Sequence, residues 1–203
     1  MERVFTTLLD ERTLSLGIRS LTFDIFVNPR RDPGCLRESD SFLRHFCRQY
    51  DHALVAFDHH GCGSVLSTSE EITDLVCAKL SGSGWGDRAD VVVIVPELEA
   101  WVWSESPHVE EAFGWAGPPS ARQWLHDQGF WPAGDSKPPQ PKAAAEHLLR
   151  ATKKRSPSAV FRDIAAKVSL ERCTDPSFLR LRSTLQRWFP PGAARWTSST
   201  LVT

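Results

Sequence analysis

Two continuous apolar stretches decide the fold of this chain: residues 53–57, Ala-Leu-Val-Ala-Phe, and residues 91–95, Val-Val-Val-Ile-Val. Each is short enough for a single strand, and each stops at a residue that interrupts it, Asp58 after the first and Pro96 after the second. A strand that lacks polar residues on both faces is typical of a parallel sheet covered by helices on both sides. The sequence therefore predicts an α/β fold with a parallel sheet.

Helical patterns surround these two strands. A third strand is predicted at residues 21–28, which are rich in β-branched and aromatic residues, and a loop is predicted at 29–34, where Pro and Gly accumulate. Helices are predicted at 2–16, 37–50, 68–80, 97–103, 142–154, 159–168 and 177–189. We therefore expect an α/β domain over 1–113, a connector rich in Trp and Pro over 114–141, a basic helical extension over 142–189 and a tail over 190–203.

The composition excludes several classes of protein. With 203 residues and 41% hydrophobic residues, the chain can form a core, which excludes global disorder. It has no apolar run of 18 residues and no visible secretory signal, so we expect neither a membrane span nor export. Five cysteines without a Cys-x-x-Cys pair argue against a disulfide framework and a zinc ribbon, and favour a reducing cytoplasm: Cys35, Cys47, Cys62, Cys77 and Cys173.

The charge is divided unevenly along the chain. Residues 1–136 hold 11 Lys and Arg against 21 Asp and Glu, whereas residues 137–203 hold 13 against 4. Such a division predicts either a basic surface for an anionic partner or two halves of opposite charge that face each other. The basic residues Lys142, Arg150, Lys153, Lys154 and Arg155 are candidate contacts to the phosphates of DNA or RNA. A solvated helix face is the alternative interpretation of the same residues.

Acidic residues follow both apolar strands. Asp58 comes directly after the first strand, and Glu97 and Glu99 follow the second. Ligand sites of open parallel sheets form beyond the carboxyl ends of the strands, and carboxylates there can hold Mg²⁺ or Mn²⁺. The alternative is that these residues only cap helices. Because Glu97 and Glu99 are two residues apart, they do not share a helical face, and we expect at most one of them to bind a metal unless the chain is extended there.

The histidines next to Asp58 are weaker candidates. His59 and His60 lie near Cys62, but no second pair of ligands at zinc spacing accompanies them, so a loop or surface role is favoured over a zinc site. The sequence also lacks the phosphate-binding loop, the nucleophile elbow and the dinucleotide fingerprint.

Taken together, these motifs resemble the Toprim fold. An apolar strand that ends in Asp-x-His-Gly at residue 58, followed by Pro-Glu-Leu-Glu-Ala-Trp from residue 96, looks like the small Toprim-like proteins of bacterial phage-defence loci, including subunits of methylation-associated defence systems. The likeness covers about residues 20–190 and includes Phe-Arg-Asp-Ile-Ala from residue 161 and Leu-Gln-Arg-Trp-Phe from residue 185.

This resemblance implies a metal-dependent nuclease or nucleotidyl-transfer centre in an antiviral defence system. By position, Asp58 matches the first acid of the family's Asp-x-Asp motif, His60 stands at its second acid, and Glu99 matches the acid that follows the fourth strand. Asp58, His60 and Glu99 are thus the expected catalytic residues. The expected metal ligands are Asp58, Glu97 and Glu99, of which Glu97 is included for its position after the second strand. The family also has a first strand that ends in a catalytic glutamate, which this sequence lacks ahead of Glu2. The alternatives are a missing N-terminal segment or a non-catalytic adaptor that docks larger defence subunits.

Overall fold

The computed structural model describes residues 1–66, 68–104, 106–154 and 157–192. Its strands are β1 (Ala53–Asp58) and β2 (Ala89–Ile94), and its helices are α1 (Glu2–Glu11), α2 (Thr13–Leu16), α3 (Arg31–Leu43), α4 (Ser69–Leu80), α5 (Pro107–Phe113), α6 (Ala121–Asp127), α7 (Pro141–Ala151), α8 (Pro157–Lys167) and α9 (Pro176–Trp188). Single turns of 3₁₀-helix lie at Arg44–Phe46 and Leu98–Trp101, and a π-helical turn at Ser81–Trp85. Within the described ranges, no helix combines the length and the apolar character needed to cross a membrane.

The two strands form a parallel pair, which confirms the predicted α/β class. The register runs from Ala53 opposite Ala89 to Asp58 opposite Ile94. Parallel strands need a crossover, and α4 supplies it. Thr68 caps α4 in a capping box with Glu71, at the position where the sequence predicts the helix to begin.

Successive side chains of each strand point to opposite faces of the sheet. Helices cover both of these faces. On one face, Phe57 and Val93 belong to a core that includes residues of α3 and α4. On the other face, Val92 and Ile94 belong to a core with residues of α1 and α5–α9. This three-layer packing explains why both strands are continuous apolar runs.

The second of these cores contains residues from before and after position 114. It includes Leu8 of α1, Trp131 of the Trp- and Pro-rich segment, and Leu181 of α9. The indole of Trp103 donates a hydrogen bond of 3.0 Å to the carbonyl of Pro141 at the start of α7. The rings of Trp103 and Trp131 pack edge to face at 5.4 Å. The helices after residue 141 are thus part of the same packed core as α1.

The strand predicted at residues 21–28 does not form. This segment has no backbone ladder with β1 or β2; Leu21 and Ile25 pack against the core that contains Val92, and Phe26 packs against aromatic rings. Phe26 stacks on Phe46 at 4.4 Å, and the hydroxyl of Tyr50 donates a hydrogen bond of 2.5 Å to Asp24. The apolar residues Leu21, Ile25 and Phe26 thus make side-chain contacts without a backbone ladder, and the prediction of a third strand is wrong.

The loop predicted at residues 29–34 is also wrong, because α3 already begins at Arg31. Pro33 lies in the first helical turn, where the missing N–H of proline costs nothing. Gly34 allows a close approach to Asn28: a Cβ at position 34 would lie 2.0 Å from Oδ1 of Asn28. The Pro and Gly of this stretch thus start a helix and do not interrupt one.

Candidate functional site

The carboxyl ends of β1 and β2 bring the predicted acidic residues to one edge of the sheet. Asp58 is the last residue of β1 and lies opposite Ile94, the last residue of β2. Beyond the strands, the amide of His59 donates to the carbonyl of Ile94 and the amide of His60 to that of Pro96, both at 2.8 Å. These bonds hold the chain after β1 beside the segment that leads to Glu97. The sequence-based expectation of a shared edge is confirmed.

Asp58 is held from two sides. Its Oδ1 accepts a hydrogen bond of 2.9 Å from the amide of Leu98, and its own amide donates to Oδ1 of Asp32 at 3.3 Å. Burial, reinforced by the negative charges of Asp32, Glu99 and Glu97, raises the pKa of Asp58 to about 7. A cation near this carboxylate would relieve the repulsion.

Glu99 faces the same space as Asp58. It lies in the first turn of the 3₁₀-helix Leu98–Trp101 and is half-buried. Burial raises its pKa, as does the charge of Glu97, while its own backbone amide and the charge of Lys142 act in the opposite direction. Asp58 and Glu99 line one cavity of about 290 Å³, together with Arg3 and Ser158. These two side chains are therefore the pair most able to share a ligand.

Glu97 is directed elsewhere. It is buried, and its Oε1 accepts a hydrogen bond of 3.1 Å from the amide of Lys142, the second residue of α7. Its Oε2 lies 3.8 Å from Nδ1 of the exposed His60. Gln140 precedes α7 but makes no side-chain cap, so Glu97 supplies an acceptor to a helix start distant in sequence. The capping role considered for the glutamates is thus observed for Glu97, although on a different helix from its own.

Asp32 belongs to this edge and was not expected there. The sequence places it in a loop, whereas the structure places it in the first turn of α3, beside the amide of Asp58. Proline and acidic residues are both favoured in the first turn of a helix, so Asp32 and Pro33 together could have indicated that α3 begins here.

The donor atoms of this edge fit a hard divalent cation. Mg²⁺ prefers carboxylate oxygens and is usually held by one or two of them, with water or phosphate completing the shell. Asp58 and Glu99 offer such a pair in one cavity. Across residues 1–66, 68–104, 106–154 and 157–192, no three His, Cys, Asp or Glu side chains lie close enough together to form a preformed metal-binding site. Asp58 and Glu99 thus fit a cation bound by two carboxylates, and this part of the chain has no preformed site with three ligands.

The candidate phosphate contacts lie along α7 and just after it. Lys142 is exposed at the start of the helix, while Arg150, Lys153 and Lys154 are exposed at its end. Among the described residues, no ion pair involves Arg150, Lys153 or Lys154. Arg155 lies outside the described residues.

Other basic residues of the C-terminal half face acidic residues of the first half. Arg180 and Arg187 of α9 both pair with the buried Asp90 at the start of β2, and Lys167 pairs with Glu111 at 2.9 Å. Burial alone would raise the pKa of Asp90, but hydrogen bonds from Thr184, the adjacent backbone and Arg180 lower it overall. The uneven charge of the sequence is therefore explained in part by two halves that face each other.

No protein-family model matches the chain, and the searches of curated proteins and of solved structures returned no match.

Proposed function

We propose that this chain is a Toprim-like component of a bacterial antiviral defence system that binds DNA or RNA and cleaves phosphodiester bonds with Mg²⁺ or Mn²⁺. The observation that carries the proposal is the pair Asp58 and Glu99, which lines one cavity at the carboxyl edge of a parallel sheet. In such sheets this edge is the usual place for a ligand.

In this proposal Asp58 and Glu99 hold the cation. Glu97, which the sequence also predicts as a ligand, has one carboxylate oxygen bonded to the amide of Lys142, so only its Oε2 is left for a cation. The cation would neutralise charge on a phosphate and lower the pKa of a bound water. His60 is the proposed proton-transfer residue; its Nδ1 lies 3.8 Å from Oε2 of Glu97, and it is not among the described residues that line the cavity of Asp58 and Glu99. The amide of Leu98 fixes one oxygen of Asp58, which leaves the other oxygen for a ligand.

A second candidate function is a non-catalytic adaptor that docks larger defence subunits. The observation that favours it is the lack of a ready three-ligand cage in the described part of the chain. The two candidates differ in one property, because only the nuclease needs a cation at Asp58.

The experiment compares the wild-type chain with Asp58→Asn and with Asp74→Asn, an exposed carboxylate of α4 that serves as the matched control. Mn²⁺ binding is measured by calorimetry, and cleavage of labelled single- and double-stranded DNA and RNA is followed with Mg²⁺ or Mn²⁺. The nuclease proposal predicts that Asp58→Asn loses both properties while Asp74→Asn keeps them. If the wild type neither binds Mn²⁺ nor cleaves, while Asp58→Asn still protects cells from phage, the adaptor function stands.

A further inference from the structure

A second and larger cavity lies beside the carboxylate edge, between the 3₁₀-helix Leu98–Trp101, α8 and the segment that leads into α9. Its volume is about 490 Å³, within the range of pockets that hold small organic ligands. Apolar side chains form most of its wall, among them Trp101, Trp103, Ile164 and Phe178. Of the described residues, it shares Val4, Leu98 and Phe161 with the smaller cavity of Asp58 and Glu99.

Among the described residues that line this cavity, the charged ones are Lys137 and Arg172, and none is an Asp or Glu. Lys137 is neutralised by the buried Asp175, whose Oδ2 accepts its hydrogen bond at 2.7 Å. Arg172 is exposed, and within the described part of the chain no carboxylate pairs with it. Within the described ranges, Arg172 is thus a cation at an apolar cavity that no carboxylate pairs with.

Hydroxyl groups add hydrogen-bond donors to the cavity: Ser136, Ser169 and Thr174 line it, as Arg172 does. A guanidinium and hydroxyl groups match a carboxylate, sulfonate or phosphate, while the indole rings match an aromatic or aliphatic body.

We infer that this cavity binds a small amphipathic anion, with its apolar body against Trp101, Trp103 and Phe178 and its anionic group at Arg172. The inference does not depend on nuclease activity, because the cavity wall includes neither Asp58 nor Glu99.

The test uses two probes that share an aromatic body and differ in charge: 8-anilinonaphthalene-1-sulfonate and the neutral N-phenyl-1-naphthylamine. Each is titrated into the full chain, with binding followed by its fluorescence and the stoichiometry measured by calorimetry. We expect one saturable site per chain for both probes. Arg172→Glu should weaken binding of the sulfonate about tenfold and leave the neutral probe unchanged, since the ion pair becomes a repulsion. Arg48→Glu makes the same charge change at an exposed residue outside the cavity and should not alter the binding of either probe.

A cavity-filling variant tests the apolar part. Ala165 of α8 lies on the wall, and Ala165→Leu should weaken both probes by at least about tenfold because it occupies their space. Circular dichroism shows whether this variant folds. If it does not, the comparison of Arg172→Glu with Arg48→Glu still tests whether the cavity binds the anion. Many weak sites without saturation, or an equal effect of Arg172→Glu and Arg48→Glu on the sulfonate, would overturn the inference.

Discussion

The amide of Leu98 donates a hydrogen bond of 2.9 Å to Oδ1 of Asp58, and this bond ties the end of β1 to the chain that follows β2. It orients Asp58 toward the turn that carries Glu99. It also means that Asp58 has a structural partner as well as a proposed ligand, so its substitution must preserve the acceptor oxygen. Asparagine meets this condition because its side-chain carbonyl can accept the same bond.

Asp58 should make the stability of the protein depend on pH. The native carboxyl holds its proton with a pKa of about 7, whereas the ordinary value is 3.8, so the folded state binds the proton more tightly. The free energy of unfolding should therefore fall as the pH rises from about 4 to about 7. Asp58→Asn should remove this slope and gain about 2 kcal/mol at pH 8 relative to the wild type, less than the full shift implies because the group is partly solvated. Urea unfolding of both proteins between about pH 4 and pH 8 measures the slope and the difference in the free energy of unfolding.

Asp74→Asn, the exposed control on α4, should keep the wild-type slope. If the slope of Asp58→Asn matches that of the wild type, Asp58 does not hold a proton at neutral pH. Addition of Mg²⁺ at pH 8 supplies a further readout, because a cation at Asp58 should stabilise the wild type and not Asp58→Asn.

Glu97 should contribute mainly to stability. Glu97→Ala removes the acceptor for the Lys142 amide and the negative charge at the start of α7, and we expect a loss of about 1–2 kcal/mol in the free energy of unfolding. Glu97→Gln keeps an acceptor oxygen and should lose less than half as much. Urea unfolding compares both with Glu146→Ala, which removes an exposed glutamate from the same helix. Equal losses for Glu97→Ala and Glu146→Ala would contradict the capping role.

Asp90 should hold α9 against β2. Its carboxylate accepts hydrogen bonds from Thr184 at 2.6 Å, from the Val91 amide at 2.8 Å, and from Arg180 and Arg187. Asp90→Asn removes the charge that both arginines face, and we expect a loss of about 2 kcal/mol at pH 7.

The pH dependence separates this effect from a general packing defect. Since the native pKa of Asp90 is lowered, its contribution is complete above the ordinary value near 4 and is lost as the pH falls below it. The difference between the wild type and Asp90→Asn should thus shrink in acid. Asp87→Asn, at an exposed position in the turn that precedes β2, should have little effect at any pH. A difference that stays constant down to pH 2 would exclude the charge as its cause.

The parts of the fold that follow from local sequence were predictable. The two strands are continuous apolar runs, and parallel strands place their carboxyl ends at one edge, so the sequence alone is enough to bring Asp58 and Glu99 to that edge. The start of α4 was predictable too, because Thr68 and Glu71 form a capping box within four neighbouring residues.

The parts that depend on distant contacts were not predictable. Residues 21–28 have the composition of a strand, but a strand needs a partner, and this segment instead packs Phe26 on Phe46. The cap that Glu97 gives to α7 and the pairing of Asp90 with α9 join residues far apart in the sequence. Local sequence patterns contain no information about such pairs. The uneven charge indicated only that residues 1–136 and 137–203 could face each other.

The exposed basic residues at the end of α7 should govern binding to nucleic acid. Each phosphate that a lysine neutralises releases a counterion, so removing two contacts should reduce the slope of log affinity against log salt by about 2 on duplex DNA. Lys153 has a left-handed backbone with φ of 57°, which asparagine tolerates, so the variant is Lys153→Asn with Lys154→Gln. Arg44→Gln with Arg48→Gln removes two exposed charges elsewhere and is the matched control.

Fluorescence anisotropy with two unrelated duplexes between about 50 and 200 mM salt measures the slopes of both double variants. The first variant should weaken both duplexes equally, because phosphate contacts carry no sequence information. If its slope equals that of the control pair, these lysines do not contact phosphates, and the end of α7 is left as a solvated face or a surface for a protein partner.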